Sequence, residues 1–360
     1  MDVHKETSAV ASVAQDHGAA VPALGPIGTR QGDSDHRVRK MPAKATQLSC
    51  VYDAGPWGDW LSRYRRKKGS DGGGVAPSLL PQNPGERVTT DRREAIPRAR
   101  LARSGDRPLV SVPQGAAEAM RALTRARDDA LRDLQAATRR LQAFLLRHAM
   151  REVGRAHGGP AHLRWLSAVV WPTPAPQSVV PAYVRAVPEP PARLPRRAQA
   201  RHEHVQAWRV SPVIAALQAL RGVPCPGAVT LGAAMGALPR FDRPRARRKS
   251  LGWMPAASAS GAPRRQGAMT QAGNTQARRV LVAGAWADRY PAQVSRPLQR
   301  RLDKQPKVIQ DSRGKAQVRW CQRSRRRVAR GQPAHGVTGA MARELLGFLG
   351  AMAQAGPVGA

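Results

Sequence analysis

Cysteine is scarce in this chain of 360 residues, which holds only Cys50, Cys225 and Cys321. The three lie far apart in sequence and form no Cys-x-x-Cys pair, so a disulfide framework is not expected. The nearest cluster of metal-binding residue types is His202-Glu203-His204. On a helix its two histidines would point to different faces, which argues against a zinc site there.

Aromatic residues are also scarce, at 4% of the chain, whereas glycine and proline number 33 and 31. Much of the 41% apolar content is alanine, which buries little surface per residue. The composition therefore predicts a thin hydrophobic core. A partly disordered basic protein remains open as an alternative.

Long apolar runs are missing as well. None approaches the roughly 20 residues that a membrane-spanning helix needs. The opening MDVHKETSAV lacks the charged and apolar regions of a signal peptide. We therefore expect a cytoplasmic location and no membrane partner.

Acidic residues are few compared with basic ones: 24 Asp and Glu stand against 60 Lys and Arg, a net charge of +36. The excess is spread over the whole chain, so it is not one basic tail. A polyanion is the expected partner, because neutralising phosphates releases counterions and drives binding. An acidic membrane surface is less favoured, since no strongly amphipathic basic helix with aromatic anchors is evident.

The order of sequence patterns predicts three regions. Residues 1–113 alternate short apolar runs (VHKETSAVASVAQ, QLSCVYDAG, GGGVAPSLLP) with a basic helix containing Pro97, which is typical of an α/β domain. Residues 114–205 begin with a long helix that carries a heptad-like apolar stripe, which predicts a coiled coil, and continue as a proline-rich broken connector. The stripe is formed by Met120, Leu123, Ala130, Leu134, Ala137, Leu141 and Phe144.

Residues 206–360 are predicted to be mostly helical. The stretch LRGVPCPGAVTLGAAM joins two helices through a tight turn. It fits a helix-hairpin-helix that offers backbone N–H groups to a phosphate, or equally a plain helical hairpin. In the arginine-rich stretch KAQVRWCQRSRRRVARG, the pattern predicts one apolar stripe from Val318, Cys321 and Val328.

One stretch, SASGAPRRQGAMTQAGNTQARR from 258 to 279, has few large apolar residues and two arginine pairs. Together with RRVLVAGAWADRYPAQVSR, the opening DVHKE, PQNPGERVTTDRREAIPRARLARSGD and GPAHLRWLS, it resembles the bridge-RNA-guided transposases of insertion sequence family 110. The resemblance runs nearly end to end.

The resemblance implies a RuvC-like, RNase-H-type α/β domain over residues 1–113 and a C-terminal transposase domain over 206–360, joined by a coiled-coil connector. It implies four acidic catalytic residues that bind Mg²⁺ and a serine nucleophile, Ser260. By the same resemblance the acids are Asp2, Asp53, Asp91 and Glu94. The implied partners are DNA of the element ends and target, a guide RNA, and further copies in a homodimer or tetramer. The implied setting is nucleoid-associated.

The chemistry asks for these residue types. Carboxylate oxygens bind hard divalent cations, and acids at i and i+3, such as Asp91 and Glu94, share a helix face. A serine can attack a polarised phosphate. Arginines clamp phosphates bidentately. Nucleic-acid contacts are predicted at Arg264, Arg265, Asn274, Arg278, Arg279, Lys315 and Arg319.

Each residue also has a structural interpretation. Asp91 and Glu94 fit a helix capping box, Asp53 fits a turn, Asp2 fits a solvated chain terminus, and Ser260 fits a linker. The family has Glu where this chain has Asp53, and Asp where it has Glu94; each change moves a carboxylate on the order of an ångström, enough to cost about a hundredfold in rate. Two rival hypotheses therefore stay open: a decayed copy that only binds nucleic acid, and a metal-dependent nuclease without serine chemistry.

Overall fold

The computed structural model describes most of the chain, and it is mostly helical with a small proportion of strand. It forms two compact units, Met1–Pro113 and Gln114–Ala360. Within the described residues, no helix has the length and apolar character needed to cross a membrane. The described residues are 1–16, 18–39, 48–55, 58–76, 90–104, 109–113, 115–151, 160–171, 174–187, 203–236, 241, 243–259, 264–270 and 272–355.

The first unit combines strands and helices. Its elements are β1 (Asp2–Val3), β2 (Thr7–Ala11), β3 (Ala23–Gly28), α1 (Gln31–Arg39), β4 (Ser49–Asp53), α2 (Gly58–Lys67), β5 (Asp71–Val75), α3 (Asp91–Ser104) and β6 (Leu109–Val110). Strands are confirmed in all three apolar runs of this region. Helix α3 is confirmed too, and it continues through Pro97.

The strands of the first unit form two three-stranded groups. β1, β2 and β3 pair antiparallel in that order, whereas β4 pairs parallel to β5, and β6 closes the second group antiparallel to β5. The parallel pair is joined through α2, the crossover that parallel strands require. The Met1 amino group donates to the Val51 carbonyl oxygen at 2.6 Å, which brings β1 beside β4.

Strand β5 requires glycine at position 72, because β4 passes too close for a side chain there. Gly72 has a φ of +149°, and a Cβ there would lie 1.9 Å from the Cys50 carbonyl oxygen. The run Gly72–Gly74 therefore pairs with β4 instead of ending the strand. The unit's described apolar core is small, and its buried members are Ala9, Val10, Val51, Tyr52, Leu61, Val75, Ala95 and Ala99.

The second unit is built from helices and one two-stranded antiparallel pair. Its elements are α4 (Ala116–Arg147), α5 (Pro160–Ala168), α6 (Pro174–Ala186), α7 (Ser211–Gln218), α8 (Cys225–Met235), α9 (Pro244–Ser250), β7 (Pro255–Ala259), β8 (Arg264–Met269), α10 (Thr275–Trp286), a 3₁₀ turn (Ala287–Arg289), α11 (Arg296–Leu302), α12 (Lys307–Ala329) and α13 (Ala334–Ala355).

Helix α4 reaches two separate hydrophobic cores, because its 32 residues extend for roughly 48 Å. Met120 near its start belongs to a large core shared with α7, α8, α10, α12 and α13. Leu141 and Phe144 near its end belong to a smaller one. The predicted stripe is therefore buried at its ends, while Ala130 and Leu134 in its middle are half-buried.

The connector prediction was wrong for part of residues 155–200, because α5 and α6 are helices that pack on the end of α4. The Phe144 ring lies 5.6 Å from that of Trp171 and 5.1 Å from that of Tyr183. Proline begins both helices, at Pro160 and Pro174. At a first helical position a missing N–H costs nothing, so these prolines start helices instead of breaking them.

The predicted hairpin is formed by α7 and α8. Gly222 in its turn has a φ of +78°, and a Cβ there would lie 2.6 Å from the Gly284 carbonyl oxygen on α10. Both helices are deeply buried in the large core. The predicted stripe on α12 was wrong for Val318 and Val328, which are 47% and 49% exposed, and was confirmed only for buried Cys321. The buried face consists of Ile309, Arg313, Ala316, Gln317, Trp320, Cys321 and Ser324.

Candidate active site and nucleic-acid interface

Three of the predicted acids converge in the first unit. Asp2 lies on β1, Asp53 ends β4, and Glu94 lies in the first turn of α3. A carboxylate oxygen from each lies within 4.8 Å of the other two. Asp2 is only 3% exposed. The pairing of strands and the packing of α3 thus join residues that are far apart in sequence.

Asp91, the fourth acid, lies at the rim of this cluster. Its side chain is 60% exposed, and its Oδ1 lies 3.6 Å from Nε2 of His4. The same nitrogen lies 3.2 Å from Oδ2 of Asp2. Asp2, His4 and Asp91 therefore form a second group of ligand atoms within 4.8 Å of one another, with Asp2 in both.

The capping interpretation of Asp91 needs a correction. The Thr90 hydroxyl accepts a hydrogen bond from the Arg93 N–H at 3.3 Å, and the Thr90 carbonyl accepts from the Glu94 N–H at 2.9 Å. Thr90 therefore occupies the cap position before α3. This leaves the carboxylates of Asp91 and Glu94 turned toward His4 and Arg98 respectively.

An arginine lies at the centre of the acidic cluster. Arg98, one turn beyond Glu94 on α3, is 2% exposed. Its Nε donates to Asp53 Oδ1 at 2.6 Å and its Nη2 donates to Glu94 Oε2 at 2.8 Å. The same Nη2 lies 3.6 Å from Asp2 Oδ1. One guanidinium thus faces all three carboxylates.

Burial and charge act in opposite directions on these groups. Burial raises the pKa of Asp53 above its usual value, and the Arg98 guanidinium opposes part of that rise. Burial tends to lower the pKa of Arg98, but its bonds to Glu94 and Asp53 outweigh that effect and raise it. Arg98 is therefore a permanent positive charge inside the cluster.

The acidic cluster fits a divalent cation in residue type and in spacing. Carboxylate oxygens are the ligands that Mg²⁺ uses in proteins, and those of Asp2, Asp53 and Glu94 are close enough to share one ion. The same oxygens face Arg98. A cation at this position would therefore compete with the guanidinium for one set of oxygens.

His4 and Arg98 were not predicted as members of the site, although the sequence spacing of each to a predicted acid indicates that the two side chains could be neighbours. His4 lies two residues after Asp2, the spacing that puts side chains on one face of a strand. Arg98 lies four residues after Glu94, the spacing that puts oppositely charged side chains in contact on a helix. Both signals are weak alone, and they gain meaning only when the three elements meet.

The serine prediction falls outside the described residues. Ser260 lies in the segment that links β7 and β8, two antiparallel strands in which Ala259 is opposite Arg264. The side chain of Arg264 is also outside the described part. Arg265, the next predicted phosphate contact, is exposed on β8.

Four of the other predicted nucleic-acid residues make contacts within the protein, and the fifth, Lys315, is exposed. Asn274 caps α10, its Oδ1 accepting from the Ala277 N–H at 3.0 Å. Arg278 donates to the Leu251 carbonyl at 3.2 Å, and Arg279 pairs with Asp128 of α4. On α12, Arg319 lies 3.2 Å from Glu344.

Comparison with known proteins agrees with the resemblance seen in the sequence. Residues 215–297, from within α7 to the start of α11, match the profile described as "Transposase IS116/IS110/IS902 family". The chain is 34% identical over 354 residues to "Putative transposase y4qE" of Sinorhizobium fredii, covering 98% of this chain and 87% of that protein. It is 30% identical over 169 residues to "Transposase for insertion sequence element IS1533" of Leptospira borgpetersenii, covering 46% and 49% respectively.

A mostly helical chain with an acidic cluster in a small sheet-bearing unit is compatible with the class of DNA-processing proteins. The 34% identity to a protein named as a putative transposase, over 98% of this chain, makes the assignment specific. The chain belongs to the IS116/IS110/IS902 family of insertion-sequence transposases.

Proposed function

We propose that the chain is a DNA transposase that cleaves and rejoins strands with Mg²⁺ at the acidic cluster and Ser260 as nucleophile. The observation that carries the proposal is the convergence of Asp2, Asp53 and Glu94, whose oxygens lie within 4.8 Å of one another. The strand order, an antiparallel trio beside a parallel pair, supports a RuvC-like fold for the first unit.

In the proposed reaction the acidic residues bind the metal ion, and Ser260 acts as the nucleophile. Mg²⁺, held by the carboxylates of Asp2, Asp53 and Glu94 with Asp91 at the rim, would neutralise charge on the scissile phosphate. The Ser260 hydroxyl attacks phosphorus, so that a serine O–P bond forms while the P–O bond to the leaving nucleotide breaks, and the serine proton passes to the leaving oxygen. The phosphoserine–DNA link keeps the bond energy needed for rejoining.

The net charge and the family resemblance support nucleic acids and further copies of the chain as binding partners. A net charge of +36 suits a protein that holds DNA together with a guide RNA that selects the target. We propose that two or four copies assemble, and that α4, with its apolar stripe half-exposed at mid-length, contributes a coiled-coil segment to that assembly.

The experiment is to trap a covalent protein–DNA adduct with the full chain, its element-end DNA and Mg²⁺. Ser260→Ala is expected to abolish the adduct, whereas Ser258→Ala, a matched change two residues away, is expected to retain it. Cleavage that survives Ser260→Ala but fails in Asp91→Ala would instead identify a metal-dependent nuclease without serine chemistry.

A second candidate function is non-catalytic nucleic-acid binding by a decayed transposase. The observation that favours it is Arg98, which faces the three carboxylates that a metal would need. This candidate predicts salt-sensitive DNA binding with no adduct under any condition. An adduct that depends on Ser260 would exclude it.

A further inference from the structure

A stack of aromatic and cationic side chains lies on the surface of the second unit, where α10 ends. The Arg289 guanidinium carbon lies 4.7 Å from the ring centre of Trp286 and 4.6 Å from that of Tyr290. The other partner of Trp286 is His335, whose ring is stacked 6.0 Å away at an angle of 13°. The four side chains therefore form one contiguous cluster, in which Arg289 contacts both Trp286 and Tyr290 and His335 contacts Trp286.

The ends of this stack are open to solvent. Tyr290 is 52% exposed, and Arg289 and His335 are exposed as well. Arg289 Nη2 donates to the Tyr290 hydroxyl at 2.6 Å, so the guanidinium holds the tyrosine ring from one side. The ring is thus positioned in advance, which reduces the side-chain ordering that binding would otherwise require.

The chain that follows is an exposed segment that leads to two exposed arginines. Residues 290–296 are exposed throughout, and α11 begins with Arg296 and continues to exposed Arg300. Arg221 donates to the Pro291 carbonyl at 2.6 Å, which fixes the start of the segment. A fixed aromatic ring followed within ten residues by exposed arginines is the combination that binds unpaired nucleotides, since bases stack on the ring while cations face phosphates.

We propose that Tyr290, held by Arg289, which in turn packs on Trp286, is a stacking platform for an unpaired nucleobase of single-stranded nucleic acid. Stacking accepts any base, because every base has a π face. The platform needs neither the acidic cluster nor Ser260. It would hold a nucleotide strand in place whether or not the chain cleaves DNA.

The test is fluorescence anisotropy of labelled (dT)₁₂ and (U)₁₂ with the full chain, without Mg²⁺, over a range of salt concentrations. Tyr290→Ala is expected to weaken binding about fivefold or more, and Tyr290→Phe to stay within twofold. The slope of log Kd against log salt should be unchanged in Tyr290→Ala, because no phosphate-neutralising charge is lost. The tighter of the two oligonucleotides identifies DNA or RNA as the source of the base.

Controls separate stacking from folding and from charge. Arg289→Ala is expected to weaken binding more than Arg139→Ala, an equal charge change at an exposed position on α4. Circular dichroism checks that each variant is folded. The proposal is overturned if neither oligonucleotide binds, if folded Tyr290→Ala binds like the parent, or if Tyr290→Phe loses as much affinity as Tyr290→Ala. The assay measures binding without Mg²⁺ and does not depend on strand cleavage. A failure of the proposed cleavage reaction would therefore not overturn the stacking proposal.

Discussion

The two units are stabilised in different ways. The second unit buries large apolar side chains from many helices around one core, with Ile214, Leu217 and Leu281 fully enclosed. Both units bury charged side chains, Asp2 and Arg98 in the first and Asp288 and Arg313 in the second, but the apolar core described in the first unit is much smaller. Because apolar burial drives folding and a buried ion pair adds little net stability, the candidate active site lies in the unit with the weaker support.

Within the first unit, Arg98 has two opposing effects on the candidate active site. The guanidinium stabilises three neighbouring carboxylates that would otherwise repel one another, and it uses the oxygens that a divalent cation needs. Breaking the charge balance should therefore affect the first unit alone, and metal should be able to restore it.

The largest expected effect comes from Arg98→Leu. Removing one partner from a buried ion pair typically costs about 3–5 kcal/mol, so the variant should lose most of the first unit's stability without metal. Mg²⁺ should then stabilise the variant more than the parent, because the Arg98 guanidinium no longer competes with the metal for the carboxylate oxygens. Hydrogen exchange measured by mass spectrometry resolves the two units.

Arg100→Leu is the matched control, since Arg100 is exposed on the same helix. Equal destabilisation by the two changes, or a Mg²⁺ effect that is no larger in Arg98→Leu, would contradict the proposed competition.

Truncating a core leucine in each unit compares them directly. Leu61→Ala in the first unit and Leu281→Ala in the second each remove a buried side chain, at a cost of about 3 kcal/mol. The same loss of unfolding free energy is a larger fraction of the total stability in the less stable unit. We expect exchange protection of β4 and β5 to collapse in Leu61→Ala, while α8 and α10 keep part of theirs in Leu281→Ala. The reverse order would mean that the first unit is the more stable one.

A pH dependence is expected in the second unit. Burial raises the pKa of Asp288 to about 7, with Arg221 and Arg313 opposing the rise. The folded state therefore binds a proton more tightly than the unfolded state, and stability falls as pH rises toward 7. Between pH 5 and pH 8 the loss should be about 2–3 kcal/mol, measured by urea unfolding.

Asp288→Asn keeps the side chain neutral and should remove most of this pH dependence. The control is Asp303→Asn, at an exposed position, which should leave it intact. An unchanged pH profile in Asp288→Asn would show that another group titrates.

The smallest effect concerns Asn274, which is both a helix cap and a predicted nucleic-acid contact. Asn274→Ala should cost about 1 kcal/mol, and Asn274→Ser should restore most of it, because serine also caps. Both are measured by thermal unfolding. If DNA affinity falls equally in the two variants while stability falls only in the first, the side chain also contacts nucleic acid.

The sequence was sufficient to predict β4, α3 and α4, because short apolar runs, helix-forming segments and heptad spacing are local signals, although the residue that caps α3 is Thr90 and not Asp91. It was insufficient for α5 and α6, because prolines indicate a broken chain: Pro160 and Pro174 lie at first helical positions, where proline is tolerated, but α6 also continues through Pro181. On α12 the buried face contains Arg313, which donates to Gln317. An apolar-stripe pattern does not indicate a buried face that includes polar side chains such as Arg313 and Gln317.

For the site, acidic residue types and their order were readable from the chain, whereas their neutralisation was not. Arg98 and His4 enter the cluster only because β1, β4 and α3 meet. Such a contact depends on tertiary structure, and spacing along one element does not specify it.

The most direct test of the metal-site proposal is thermal unfolding of the parent chain and of Asp53→Asn, followed by far-UV circular dichroism with and without Mg²⁺. Metal that binds the folded state raises its transition. We predict a cooperative transition that Mg²⁺ moves upward in the parent and leaves unmoved in Asp53→Asn. A transition that ignores Mg²⁺ in the parent, or shifts equally in both proteins, would contradict the assignment of the acidic cluster as the metal site.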